Sequence, residues 1–186
     1  MNAFDFDNTI FRGDSTVRFY AYCFRKVPAL WPTIPTQLGN ALLFACRIRK
    51  KQDFKERMYR FLTRLPDVDR LLEAFWDENI SRIMPWYIQM QREDDVIISA
   101  SPEFLLKPAM RRLGIRHMMA SRVDKKTGRY TGLNCHGEEK VVRFRAVFPD
   151  AHVEKFYSDS LSDTPMALLA DEAWLVKNPS MTQWPR

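Results

Sequence analysis

Carboxylates gather at two places in this chain of 186 residues. Asp5 and Asp7 stand in Asp5-Phe6-Asp7-Asn8-Thr9, and Asp159 and Asp163 in Ser158-Asp159-Ser160-Leu161-Ser162-Asp163. Each group follows a short apolar run of the kind that makes a buried strand. Carboxylates brought together repel one another unless a cation neutralises them, and oxygen ligands without histidine favour a hard ion such as Mg²⁺. A carboxylate attacks a phosphoryl group when a metal screens its charge, so Asp5 reads as a nucleophile and Asp7 as a proton donor. Such a hydrolase also needs a hydroxyl and main-chain donors for the phosphate oxygens, a cation facing the transferring group, and a last carboxylate for the metal. Ser99 with Ala100, Lys140 and Asp159 can supply them.

To act together these residues must lie along one edge of a sheet. In an open parallel sheet the carboxyl ends of the strands share an edge, and ligands bind there, so the two acidic groups are expected to meet. Residues 1–7 read as the first strand. From 15 to 90 the pattern becomes helical, in segments 15–26, 36–48, 53–65 and 67–82 separated by prolines, which predicts a four-helix bundle. Beyond Asp95 strands and helices alternate: strands at 96–99, 114–119, 153–157 and 173–176, helices at 102–113, 138–148 and 163–170, and a hairpin with a glycine turn at 122–133. The expected fold class is therefore α/β: a Rossmann-like parallel sheet core from residues 1–13 and 91–186, with a four-helix-bundle cap inserted at 14–90.

Four segments in this order resemble the motifs of the haloacid-dehalogenase superfamily: Asp-Phe-Asp-Asn-Thr at 5–9, Val-Ile-Ile-Ser-Ala-Ser at 96–101, Lys140 in Gly-Glu-Glu-Lys-Val, and Tyr-Ser-Asp-Ser-Leu-Ser-Asp-Thr-Pro-Met at 157–166. The roughly 80-residue insertion after the first motif is similar to the helical cap of the phosphoserine-phosphatase-like branch. The resemblance implies Asp5 as nucleophile and Asp7 as general acid, then base. It implies Thr9, Ser99, Ala100 and Lys140 on the phosphate, and a Mg²⁺ held by Asp5, the Asp7 main-chain carbonyl and Asp159. Asp163 would support the metal's ligands or the lysine. A carboxylate at Asp7 favours dephosphorylation over dehalogenation. Two positions depart from the phosphoserine enzymes. Where they read the substrate amino group with a Glu, the nearest residue here is the shorter Asp14. Where they bind its carboxylate with a cap arginine, both Arg57 and Arg60 fit. Ser101 and Ser160 read equally as helix-capping hydroxyls or as substrate contacts.

The net charge of +6 is concentrated in one place. Between Ala41 and Leu65 stand eight bases (Arg47, Arg49, Lys50, Lys51, Lys55, Arg57, Arg60 and Arg64) against Asp53 and Glu56. A solvated helix face accounts for such a run; so does attraction of an anionic substrate or an acidic lipid surface. No aromatic-rich nucleic-acid motif accompanies it, so nucleic acid is not an expected partner. The expected function is a Mg²⁺-dependent phosphatase acting on a small phosphorylated substrate, phosphoserine-like, through an aspartyl-phosphate. The alternatives are a lipid-phosphate phosphatase using residues 27–51 as an interfacial patch, or a peripheral membrane or nucleic-acid-binding protein using the basic cap. Cys23, Cys46 and Cys135 fit no metal spacing and read as free thiols, and no basic-then-apolar segment precedes Asp5, so the expected location is the cytoplasm. His117, His136 and His152 are expected at the surface or packed rather than as ligands. Trp31, Trp76, Trp86 and Phe44 are expected to fill the cap or line its inner wall.

Overall fold

Asn2, Ala3 and Phe4 are buried on both faces, as a central parallel strand requires, and they form β1 (Asn2–Phe4) in the computed structural model. The structure describes residues 1–46, 51–178 and 180–185, with the backbone alone at 51 and 52. The other strands are β2 (Val96–Pro102), β3 (His117–Ser121), β4 (Val153–Ser158), β5 (Ala170–Lys177) and β6 (Ser180–Gln183). They form one sheet in the order β3-β2-β1-β4-β5-β6. All neighbours are parallel except β5 and β6. Phe4 pairs with Ile97 on one side and Tyr157 on the other. The strand order reverses between β1 and β4, so their carboxyl ends open a crevice there. Asp5 follows β1 and Asp159 follows β4, at that crevice.

Between β1 and β2 the described residues hold five α-helices: α1 (Ser15–Lys26), α2 (Ile34–Ala45), α3 (Lys51–Tyr59), α4 (Val68–Asn79) and α5 (Pro85–Met90). The four expected segments are thus joined by a fifth. Prolines set many of the boundaries. Pro28 and Pro32 lie in a 3-10 segment before α2, and Pro85 occupies the first turn of α5. The segment expected at 53–65 tightens into a 3-10 turn after Tyr59 and ends at Leu65, which is extended because Pro66 follows it. Arg47, Ile48, Arg49 and Lys50, which end the helix expected at 36–48 and belong to the basic run, lie outside the described residues.

In the second half, α6 (Glu103–Leu113) stops at Gly114, whose positive φ of 68° forms a left-handed cap, so β3 starts later than expected. The hairpin expected at 122–133 is a single bridge, Val123 to Tyr130, closed by Gly128 N–H donating to the Asp124 carbonyl at 2.8 Å. Gly128 has φ +73°, and a Cβ there would fall 2.5 Å from the Tyr59 carbonyl oxygen. The chain continues through α7 (Glu138–Val147) and a short α8 (Thr164–Ala167).

The insertion and the sheet share one apolar cluster. Phe6 stacks on Phe11 at 5.5 Å, and Trp76 of α4 meets both edge-on. The Trp76 indole N–H donates to the Leu105 carbonyl of α6 at 2.7 Å, tying the two elements together. Trp86 and Tyr87 of α5 pack on Phe4, which stacks on Tyr157. Of the expected interior aromatics, Trp76 is buried and Trp86 packs against the sheet, whereas Trp31 is 58% exposed. No described helix is long and apolar enough to cross a membrane.

Candidate active site

A cavity of about 310 Å³ lies at the carboxyl ends of β1, β2 and β4. Asp5, Asp7, Asp14, Ser99, Ala100, Ser101, Lys140, Asp159 and Asp163 all line it, although they come from both ends and the middle of the chain. The Asp5 main-chain N–H donates to the Tyr157 carbonyl at 2.8 Å, which extends the β1–β4 ladder by one residue and holds the carboxylate at the crevice. Asn8 then turns the chain with φ 57°, a conformation asparagine accepts more readily than most residues.

Lys140 is the centre of the charge arrangement. Gly137, with φ 60°, starts α7 and sets Lys140 in its first turn, buried. Its Nζ lies 2.7 Å from Asp5 Oδ1 and 2.7 Å from Asp163 Oδ2. Ser158 Oγ donates to the same Asp163 oxygen at 2.7 Å. Burial works against the ammonium charge, but Asp5 and Asp163 more than compensate and raise its pKa. Burial likewise raises Asp5; Lys140 opposes this, and Asp163 and Asp159 add to it. Asp159 is raised by burial first, with Lys177 opposing.

Asp7 sits at the start of α1. Its Oδ1 accepts from the Ser15 main-chain N–H at 2.6 Å and its Oδ2 from the Ser101 hydroxyl, which also bonds Thr16 Oγ1 at 2.9 Å. Burial, then the nearby Asp14 charge, pushes Asp7 up to about 7, with Ser101 and Ser15 restraining the rise. A carboxyl so held can give or take a proton near neutral pH. β2 breaks register between Ser99 and Pro102, which turns Ala100 and Ser101 toward the cavity. The buried Ser99 hydroxyl accepts from the Ser101 N–H at 3.1 Å.

Three of the expected site residues stand elsewhere. Thr9 is fully buried behind the wall, its hydroxyl without a partner among the described residues. Arg57 and Arg60 line a separate cavity of the insertion. From the same α3, Lys55, Phe54 and Met58 reach the acid-lined cavity, and Lys55 Nζ donates to the Ala100 carbonyl at 3.4 Å. Asp14 is exposed at the rim, where its Oδ1 caps α1 by accepting from Val17 N–H at 2.8 Å. Phe44, expected to fill the cap or line its inner wall, lines the cavity, as do His136 and Thr16, which their sequence setting did not mark for it.

Among the described residues no group of three or more His, Cys, Asp or Glu side chains forms a metal cluster by itself. The donor set is Asp5 and Asp159, hard oxygens that burial and mutual repulsion disfavour as bare anions. Two carboxylates completed by a main-chain carbonyl and water match the habit of Mg²⁺, which retains several waters, so the residues present fit that ion.

The model of the haloacid dehalogenase-like hydrolase family matches residues 3–168. The chain belongs to this family. A probable phosphatase of Mycobacterium tuberculosis is 36% identical over 107 residues, covering 50% of this chain and 37% of that protein. The chain thus spans little more than a third of the length of the curated relatives it matches. Among solved structures, a protein of unknown function from Bordetella pertussis Tohama I has a TM-score of 0.77 at 21% identity, covering 93% of this chain and 87% of that one. A phosphoserine phosphohydrolase-like protein from Francisella tularensis has a TM-score of 0.58 at 14% identity, covering 93% and 86%. Both share the fold of this family member.

Proposed function

We propose that this chain is a Mg²⁺-dependent phosphatase that hydrolyses a small phosphomonoester through an aspartyl-phosphate on Asp5. The observation that carries the reading is Asp5 Oδ1 bonded to the buried Lys140 Nζ at 2.7 Å, in one cavity with Asp7, Ser99 and Asp159. The phosphatase name of the Mycobacterium tuberculosis relative supports it.

In this reading Asp5 attacks phosphorus while the ester P–O bond breaks, and Asp7 gives its proton to the leaving alkoxide. Asp7, now a carboxylate, takes a proton from water as that water attacks the aspartyl-phosphate, which releases phosphate and restores Asp5. Lys140, the Ser99 hydroxyl and the Ala100 main-chain N–H face the phosphoryl oxygens, and Asp163 holds Lys140 in place. Asp5, Asp159 and the Asp7 carbonyl would hold Mg²⁺, which supplies charge neutralisation for the approach of an anion to a phosphate. Residues 1–13 and 91–186 act as the catalytic core and 14–90 as a cap, whose Phe44, Phe54 and Met58 give the cavity an apolar wall over the leaving group. A phosphoserine-like ester is the substrate class we favour. Three free cysteines suit action in a reducing cytoplasm.

Hydrolysis of p-nitrophenyl phosphate with Mg²⁺, with EDTA and by Asp5→Asn tests the reading. Turnover should require Mg²⁺ and fall by orders of magnitude in the variant with the fold retained. A variant keeping a tenth of the wild-type rate overturns it.

A further inference from the structure

α2 faces solvent without a charge. From Val27 to Cys46 the sequence contains no Asp, Glu, Lys or Arg. Yet Ile34, Leu38 and Leu42 are 41%, 66% and 65% exposed. Their i, i+4, i+8 spacing makes one stripe, and the exposed Ala41 and Ala45 fall on the same face. Trp31, also exposed, precedes the stripe with its indole N–H donating to the Phe24 carbonyl at 2.9 Å. The other side of α2 is engaged. Asn40 donates to the Phe54 carbonyl at 3.2 Å and Phe44 stacks on Phe54 at 4.4 Å, so packing against α3 turns the apolar stripe outward.

A second cavity, of about 490 Å³, runs between α2 and residues 57–64, lined from α2 by Thr36, Gln37 and Asn40 rather than by the stripe. Thr36 and Gln37 line one side and Arg57, Arg60 and Arg64 the other, and among the described residues no carboxylate lines it. Among the described residues no salt bridge engages these three arginines, whereas Arg25, Arg92, Arg111 and Arg112 are each paired with an acid. An exposed apolar stripe of this kind marks an interaction site.

We propose that this face docks on an anionic phospholipid bilayer, with Trp31, Ile34, Leu38 and Leu42 entering the interfacial layer and Arg57, Arg60 and Arg64 meeting lipid phosphates. An apolar helix face flanked by cations of one sign suits a bilayer surface, and tryptophan favours that layer. At 12 residues α2 is about 18 Å long and can lie in the interface but not span the core. A second copy of the chain is the poorer fit, since a two-fold contact sets the same patch against itself and brings like-charged arginines together. The proposal is independent of the phosphatase reading, because vesicle binding requires none of the acids around Asp5.

Co-sedimentation of the full chain with vesicles of phosphatidylcholine, or of phosphatidylcholine mixed with phosphatidylglycerol, tests it, with aryl phosphate hydrolysis and size-exclusion chromatography run alongside. Wild type should bind the anionic vesicles at least about tenfold better than the neutral ones, less so as salt rises. Leu38→Glu with Leu42→Glu, and separately Arg60→Glu with Arg64→Glu, should each lose about tenfold, the leucine pair without change in hydrolysis of the soluble ester. Equal partition of wild type to both vesicles, or undiminished binding of both paired variants, overturns the proposal. So does a dimer that the leucine pair dissociates, which would give the face to a second copy.

Discussion

Lys140 Nζ is buried 2.7 Å from Asp5 Oδ1, and the same nitrogen lies 2.7 Å from Asp163 Oδ2. One cation therefore bridges two acids that the sequence separates by 158 positions. Removing it leaves both carboxylates facing one another without a counter-charge. Lys140→Met should cost about 3–5 kcal/mol of stability and abolish turnover. Adding Asp163→Asn should return part of the stability and none of the turnover, as read by urea denaturation and aryl phosphate hydrolysis.

Lys55 and Arg60 belong to successive turns of chain but face different cavities. Lys55→Ala should lower kcat/KM for an anionic phosphomonoester by about tenfold, about 1.4 kcal/mol, through KM. Arg60→Ala should change it by less than about threefold, because a charge in the other cavity acts only at a distance and is screened by salt. Steady-state kinetics with both variants decides between them.

Asp95 sits buried just before β2, accepting from the Arg92 N–H at 2.9 Å, with its other oxygen unpartnered among the described residues. Burial pushes it up to about 6. The unfolded chain titrates near 3.9, so between about 4 and about 6 the folded form holds a proton that the unfolded form has released. Stability from this group is full below about 4 and falls as pH rises through about 6. Asp95→Asn should therefore be about 1–3 kcal/mol more stable than wild type at pH 7, with the gap closing near pH 4. A gap independent of pH would refute this in denaturant titrations.

Trp76 of α4 packs on the first-motif aromatics and bonds the Leu105 carbonyl of α6. Trp76→Ala should cost about 3–5 kcal/mol, and Trp76→Phe about 1–2 because it keeps much of the ring burial but loses the bond to Leu105. Since insertion and sheet share this cluster, calorimetry should show a single transition in each.

The chemistry was legible where local patterns suffice. Short apolar runs ending in acids or a serine identify strands whose carboxyl ends share an edge, which groups Asp5, Asp7, Ser99, Asp159 and Asp163, whereas Lys140, in a helical segment, joined them only through the cation that the chemistry requires and the resemblance to the family's motifs. Alternation of strand and helix after Asp95 pointed to the α/β core for the same reason. The antiparallel β6 was not legible, because Ser180–Gln183 is short and partly exposed and carries no burial pattern.

Rotation of a helix about its axis is what the sequence by itself left open. Lys55 and Arg57 stand two positions apart and so fall on different sides of α3, but the sequence does not say which side meets the core; packing of Phe54 on Phe44 decides that Lys55 reaches the acid-lined cavity and Arg57 does not. Thr9 shows the same limit at the scale of a turn: a hydroxyl two residues from Asp7 is turned into the core by the tight hydrogen bonds from residues 9–11 to the Phe6 carbonyl. Composition and order along the chain determined which groups are present and at which edge they gather. Tertiary packing decided which of them point inward, because that depends on contacts between segments distant in sequence, and it alone left the uncharged face of α2 uncovered.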